Sequence, residues 1–205
     1  MAERSPNVVW HEDGIARAEH WQAAGVHGLT VWLTGLSGSG KSTIAGAVSE
    51  RLAARRVLSY TLDGDNLRHG LNGDLGFSAA DRSENVRRVA EVARLFADAG
   101  IVALVPVISP YRAGREHARA LHAAAGLTFV EVFVYAPVDV CEARDPKGLY
   151  AKARAGELTG FTGVDDPYEP PEAPDVVVET ATTSVDDAAD TILTHLDPLI
   201  AGDLA

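Results

Sequence analysis

The residues best able to do chemistry in this chain fall in one run, Gly35-Leu36-Ser37-Gly38-Ser39-Gly40-Lys41-Ser42, followed by Thr43. The run has the spacing G-x-x-x-x-G-K-[ST], whose glycines let backbone N–H groups converge on phosphate oxygens. Lys41 is then placed to reach β- and γ-phosphates, and the Ser42 hydroxyl to ligate Mg²⁺. The motif needs a strand before it and a helix N-terminus after it, so that the positive end of the helix dipole meets the anion. Both are written nearby: Leu29–Thr34 is an apolar stretch of strand length, and Ile44, Val48 and Leu52 recur at helical spacing. This predicts a protein that binds a nucleoside triphosphate with magnesium.

The elements that would carry this loop alternate along the chain. Val57–Leu62 reads as a second strand ending at Asp63, and Ile101–Ile108 as a third, apolar throughout as a strand buried on both faces would be. Leu127–Tyr135 and Asp175–Glu179 complete five, with a last amphipathic helix over Val185–Ile200. The pattern predicts one α/β domain over 1–205, a doubly wound parallel five-stranded sheet with helices on both faces. Pro106 inside the third strand predicts a bulge or a rung without its amide. The stretch Asn7 to His27, with Trp10 and Trp21, is an N-terminal extension that packs on the body or on a partner subunit.

One connection is long. From Asp63 the chain runs through a polar, glycine-rich loop to Phe77, then into a helix with Ser78 as N-cap and Asp81 completing a capping box. Val86, Val89, Ala90, Ala93 and Phe96 form its buried stripe, Gly100 ends it, and Arg82 and Asn85 share one face at its start. A loop of this length leaving the carboxyl end of a strand predicts an acceptor site. Asp63 is the candidate carboxylate there. It takes the proton of an attacking hydroxyl, holds Mg²⁺ through water, or serves as a turn or capping aspartate, and the residues leave these open.

The formal charge of −11, from 18 basic and 29 acidic residues, argues against a nucleic-acid surface. A polyanionic nucleotide must then be met by local clusters, and arginines gather at Arg82–Arg88, Arg112–Arg115 and Arg144–Arg154. The single Cys141 cannot form an internal disulfide, and no stretch resembles a signal peptide or membrane span, so the expected compartment is the cytoplasm. No His/Cys spacing suits a structural zinc.

Several motifs together are far more specific than the phosphate loop. Asp63-Gly64-Asp65-Asn66-Leu67-Arg68-His69-Gly70-Leu71-Asn72, Leu75-Gly76-Phe77-Ser78 and Asp81–Arg88 closely resemble adenylylsulfate kinases, as do Ile108-Ser109-Pro110-Tyr111-Arg112, Arg144–Tyr150 and Phe161–Asp165. The resemblance covers about 7–180, with Pro106-Val107 standing where many relatives carry an aromatic. It implies a P-loop kinase with a helical lid over 145–170, and transfer of the ATP γ-phosphoryl to the 3′-hydroxyl of adenosine 5′-phosphosulfate. It further implies a homodimer. By the same resemblance Arg68, Arg82 and Asn85 hold the acceptor, assisted by Asp65, Asn66, Ile108 and Ser109. Phe77 and Phe161 would stack on its adenine beside Gly160, and Lys147 would reach in from the lid. Families of this kind sometimes assign Ser109 a phosphoserine role, although no neighbouring base is visible in the sequence. Three rival readings are a related small-molecule kinase acting on a sugar acid or nucleoside monophosphate, a GTP-dependent switch and a non-catalytic nucleotide-binding module. The Asp63–Arg88 segment speaks against the first, and the absence of Asn-Lys-x-Asp against the second.

Overall fold

A computed structural model describes Val8, Val9, His11 and residues 14–201. Trp10, named above for the N-terminal extension, lies outside the described residues. Five parallel strands, β1 (Leu29–Thr34), β2 (Ser59–Thr61), β3 (Val102–Pro106), β4 (Thr128–Tyr135) and β5 (Val176–Glu179), lie in the order β2-β3-β1-β4-β5. The doubly wound sheet predicted from the alternation is therefore present.

Alternation along β1 divides the core. Leu29, Val31 and Leu33 face α2 (Lys41–Ala54) and α8 (Val185–Ile200), joined by Ile44, Val48, Leu52, Ile192, Leu193 and Leu196. Trp32 faces the other way, with Ala103, Val105 and Phe129, against Val86, Val89, Ala90 and Ala93 of α4 (Ala79–Asp98) and Ala118 of α5 (Arg112–Ala124). The capping box at Ser78 and Asp81 forms as predicted, and Gly100 follows the helix at φ +85°.

Pro106 makes no bulge, since β3 keeps continuous register with β1 to Leu33↔Pro106. The outermost rungs to β2 are Val102 N to Leu58 O at 3.0 Å and Leu62 N to Leu104 O at 2.8 Å. The next would start from the amide that Pro106 lacks. The missing donor falls where β2 leaves the sheet, and the chain turns there at Asp63. Of the two readings of Pro106, the absent amide is the correct one.

At the opposite end of the sheet, α1 (Arg17–Ala24) lies on the body. Trp21 Nε1 donates to Ala97 O at 3.0 Å, and Arg17 pairs with Asp98 at 2.5 Å. Among the described residues no helix is long and apolar enough to cross a membrane.

Candidate active site

The phosphate loop joins β1 to α2 at the carboxyl edge of the sheet, on the central strand. Its glycines are forced. A Cβ on Gly35 would lie 2.3 Å from Val134 O, and one on Gly38, at φ +76°, 2.8 Å from Cys141 O. Two loop side chains turn away from solvent: Leu36 joins a small cluster with Ala136, Cys141, Tyr150 and Phe161, and Ser39 is fully buried. Those two positions therefore offer backbone. Lys41 is 8% exposed and donates from Nζ to Leu36 O at 2.7 Å. Burial lowers its pKa to about 8, against which Cys141, Asp63 and Asp65 act in the raising direction.

Ser42 Oγ donates to Asp63 Oδ2 at 2.7 Å. The other carboxylate oxygen, Oδ1, accepts from Asp65 N at 2.9 Å and Asn66 N at 3.4 Å, so Asp63 also caps the single turn α3 (Gly64–Leu67). The capping reading of Asp63 holds for Oδ1, while Oδ2 is left to Ser42 at the edge of the phosphate loop.

Arg68 and Phe77 form one unit. The guanidinium lies 4.3 Å from the ring centre and donates from Nη1 to Leu75 O and Gly76 O, each at 3.0 Å. The ring itself is 62% exposed, so Phe77 is no core residue. Arg82 spends all three donor groups on the protein: Nε on Phe77 O at 2.9 Å, Nη1 on Thr162 Oγ1 at 2.7 Å, and Nη2 on Gly160 O. It ties α4 to the 160–166 turn. Asn85 is buried at 8% exposure and accepts from Asn72 Nδ2 at 3.0 Å.

Ser109 adopts φ +42°, a left-handed conformation unusual outside glycine. Trp32 Nε1 donates to its Oγ at 3.0 Å, Ser109 Oγ donates to Thr34 Oγ1 at 3.1 Å, and Thr34 Oγ1 donates to Ile108 O at 2.7 Å. Arg115, 2% exposed and paired with Glu131 at 2.7 Å, holds Ser109 O at 2.7 Å. With its hydroxyl directed inward, Ser109 lines the site through its backbone.

Over 145–170 the only helix is α7 (Leu149–Arg154); the rest is turns and extended chain. Lys147 Nζ pairs with Asp65 Oδ2 across the mouth of the cleft. Phe161 is 8% exposed and packs edge-on to Tyr150 at 4.9 Å, in the same small cluster as Leu36. Its ring faces this cluster.

One cleft of about 910 Å³ gathers Ser37, Gly38, Gly40, Lys41, Ser42, Thr43, Asp63, Asp65, Asn66, Arg68, Phe77, Arg82, Asn85, Ile108, Ser109 and Lys147. Of the residues expected from the sequence, Gly35, Leu36, Ser39, Gly160 and Phe161 are outside its lining. Sequence reasoning missed Thr180 and Thr183 and placed Arg144 only within a basic cluster and a motif, yet all three line it. Arg144 donates to Gly38 O at 3.3 Å and Thr180 O at 2.6 Å, and Thr180 Oγ1 donates to Ser39 O at 2.8 Å, bracing the loop. The arginine cluster at 112–115 proves structural: Arg112 pairs with Glu172 and Arg115 is buried.

A parallel sheet in this order, with a glycine loop, a buried lysine and a serine–aspartate pair at its carboxyl edge, defines the phosphate-loop class of phosphotransferase folds. The family model for adenylylsulphate kinase matches residues 27–179, and the chain belongs to that family. An adenylyl-sulfate kinase of Geotalea uraniireducens (strain Rf4) is 52% identical over 197 residues, covering 96% of this chain and 94% of its own. One of Geotalea daltonii is 53% identical over 205 residues, covering 99% and 100%. The APS kinase CysC of Mycobacterium tuberculosis, solved with AMPPNP and APS, superposes with a TM-score of 0.81 at 55% identity, covering 83% of this chain and 98% of its own. A gluconokinase of Sinorhizobium meliloti, 19% identical at a TM-score of 0.55, shares the fold alone.

Proposed function

We propose that this chain is an adenylyl-sulfate kinase. It transfers the γ-phosphoryl of ATP to the 3′-hydroxyl of adenosine 5′-phosphosulfate, giving 3′-phosphoadenylyl sulfate and ADP. The observation that carries the reading is a single cleft in which Lys41 and Ser42 of the phosphate loop stand beside Asp63, Arg68, Phe77 and Asn85 of the long connection.

Ser42 and Asp63 supply hard oxygens 2.7 Å apart, and among the described residues no group of three or more His, Cys, Asp or Glu forms a cation cage. That donor set suits Mg²⁺, which keeps several waters and takes its remaining oxygens from substrate phosphates. Ser42 and Asp63 would hold the ion, which would supply neutralisation of the charge that develops on the transferring phosphate. Lys41 stabilises the same charge from the loop, and the loop amides cradle the phosphates. Asp63 orients the 3′-hydroxyl and takes its proton directly or through water. The 3′ oxygen bonds to the γ-phosphorus as the bond to the β–γ bridging oxygen breaks and ADP leaves, with no covalent step at Ser109. The exposed ring of Phe77 stacks on the acceptor adenine, and the Arg68 guanidinium beneath it faces the acceptor's anions. Phe161 joins the stack by leaving Tyr150 as the 145–170 segment closes as a lid, carrying Lys147 inward.

A homodimer, as the resemblance implies, belongs to this reading, as does a cytoplasmic location; a 35% identical APS kinase of Thiobacillus denitrificans is described as hexameric. The test is to incubate the protein with ATP, Mg²⁺ and adenosine 5′-phosphosulfate and resolve the products by chromatography. The 3′-phosphorylated nucleotide should appear with ADP in equal amounts. ADP formation without that product would reject the reading.

A further inference from the structure

We infer that Asn72 is a positioning residue for the acceptor: its buried amide decides which end of the Asn85 amide faces the cleft. The inference rests on the acceptor reading above. Asn72 is fully buried in the loop between α3 and α4, flanked by exposed Leu71 and Gly73. A fully buried asparagine in an otherwise polar surface loop is costly unless its amide is used.

The loop is closed around it. Asn72 N donates to Leu67 O at 2.9 Å, and Leu75 N donates to Asn72 O at 3.2 Å. Arg88 clips the loop to α4, with Nη1 on Leu71 O at 3.1 Å and two bonds to Asp74 at 2.7 and 2.9 Å. Thus fixed, Asn72 Nδ2 donates to Asn85 Oδ1 at 3.0 Å, while Asn72 Oδ1 is buried without a partner.

A primary amide has its acceptor at one end and two donors at the other. Asn85 lines the cleft, and with its oxygen held by Asn72 the end of its amide left to meet a ligand there is the NH₂. That is the end that suits a phosphate, sulfate or ribose oxygen. The reverse pairing would aim a carbonyl at an anionic acceptor. It would also strand both N–H groups of Asn72 in the interior, a heavier loss than one unpaired carbonyl. Neither aspartate, which only accepts, nor leucine, which does neither, could do this at position 72.

The test is a double-mutant cycle on wild type, Asn72→Leu, Asn85→Ala and the double variant, reading both Michaelis constants and Tm. Asn72→Leu should raise the KM for adenosine 5′-phosphosulfate about tenfold, the scale of one oriented hydrogen bond, and leave that for ATP within about twofold. In the Asn85→Ala background the same substitution should change the acceptor KM by less than about twofold, because Asn72 acts only through Asn85. An equal rise in both backgrounds, or both Michaelis constants rising with a fall in Tm, would overturn the inference. Should Asn72→Leu be recovered unfolded, Asn72→Ser runs the same cycle. A wild type without turnover on this acceptor defeats the functional reading itself; a working wild type with an additive cycle defeats only the role of Asn72.

Discussion

Ser42 Oγ and Asp63 Oδ2 meet at 2.7 Å, joining the first turn of α2 to the end of β2 across the floor of the cleft. The contact separates two duties of one carboxylate, because Oδ1 is occupied by the amides of Asp65 and Asn66. Asp63→Asn keeps an oxygen for the cap and puts a neutral NH₂ opposite Ser42. It should therefore fold normally and lose kcat by roughly 10²-fold or more, the range for a general base or metal-positioning group. The acceptor KM should move far less. Unchanged kcat with a raised KM would make Asp63 a binding residue only.

Lys41 gives the nucleotide site a pH dependence. Burial holds its pKa near 8, so the ligand-free protein carries it protonated below that value and neutral above it. A polyphosphate binds the charged form and raises its pKa, so ATP binding takes up a proton above pH 8. The ATP Kd should be flat from pH 6.5 to 7.5 and then weaken by up to about tenfold per pH unit. Calorimetry across that range in two buffers of different ionisation enthalpy reads both effects. Lys41→Ala should bind weakly with no such slope and nearly abolish turnover; near-normal turnover would contradict the assignment of the loop.

Phe77 and Phe161 should separate cleanly. Phe77 is exposed over Arg68, so Phe77→Ala should leave Tm unchanged and raise the acceptor KM about 5- to 100-fold, the factor for losing a base stacked on an aromatic ring. Phe161 is packed against Tyr150, so Phe161→Ala should cost roughly 3 kcal/mol of stability in addition to any effect on the acceptor. Denaturant melts of the two variants make the comparison. Equal stability losses would place both rings in the same environment.

His122 contributes an acid limit to stability. It is fully buried between Thr30 Oγ1 and Ala118 O, each at 2.8 Å, beside Phe129, and burial depresses its pKa with Arg94 acting in the same direction and Glu91 opposing. In the unfolded chain the ring titrates at its ordinary value of about 6.5. The unfolded state thus binds the extra proton as pH falls below that value, and folding stability declines toward the lower folded pKa. Tm of the wild type should fall between pH 7 and 5, and His122→Asn should start lower but lose this part of the slope. An identical slope in the variant would remove His122 from the account.

Much of this was legible in the sequence because it is local. The glycine spacing, the Ser78–Asp81 box and the strand runs are short-range patterns, and each is found in the structure. What could not be read depends on contacts between distant positions. Phe161 follows a polar helical stretch and looked free to stack, yet Tyr150 and Leu36 enclose it. Arg82 is expected from the resemblance to hold the acceptor, but Gly160 and Thr162 arrive from the far side of the chain and take two of its nitrogens. Arg144 and Thr180 brace the phosphate loop from positions whose local sequence carries no sign of it. Leu36 and Ser39 belong to the motif by spacing, while their side chains face the interior.

The most direct measurement is kcat/KM for phosphoryl transfer across an acceptor panel at fixed ATP and Mg²⁺: adenosine 5′-phosphosulfate, AMP and gluconate, with the position of the new phosphate read by ³¹P NMR. Adenosine 5′-phosphosulfate should be preferred by at least about 10³-fold, as expected where buried polar groups such as Asn85 go unpaired with the wrong acceptor, and the phosphate should be on the 3′ oxygen. Comparable turnover of gluconate or AMP, or a phosphate at any other oxygen, would contradict the proposed activity.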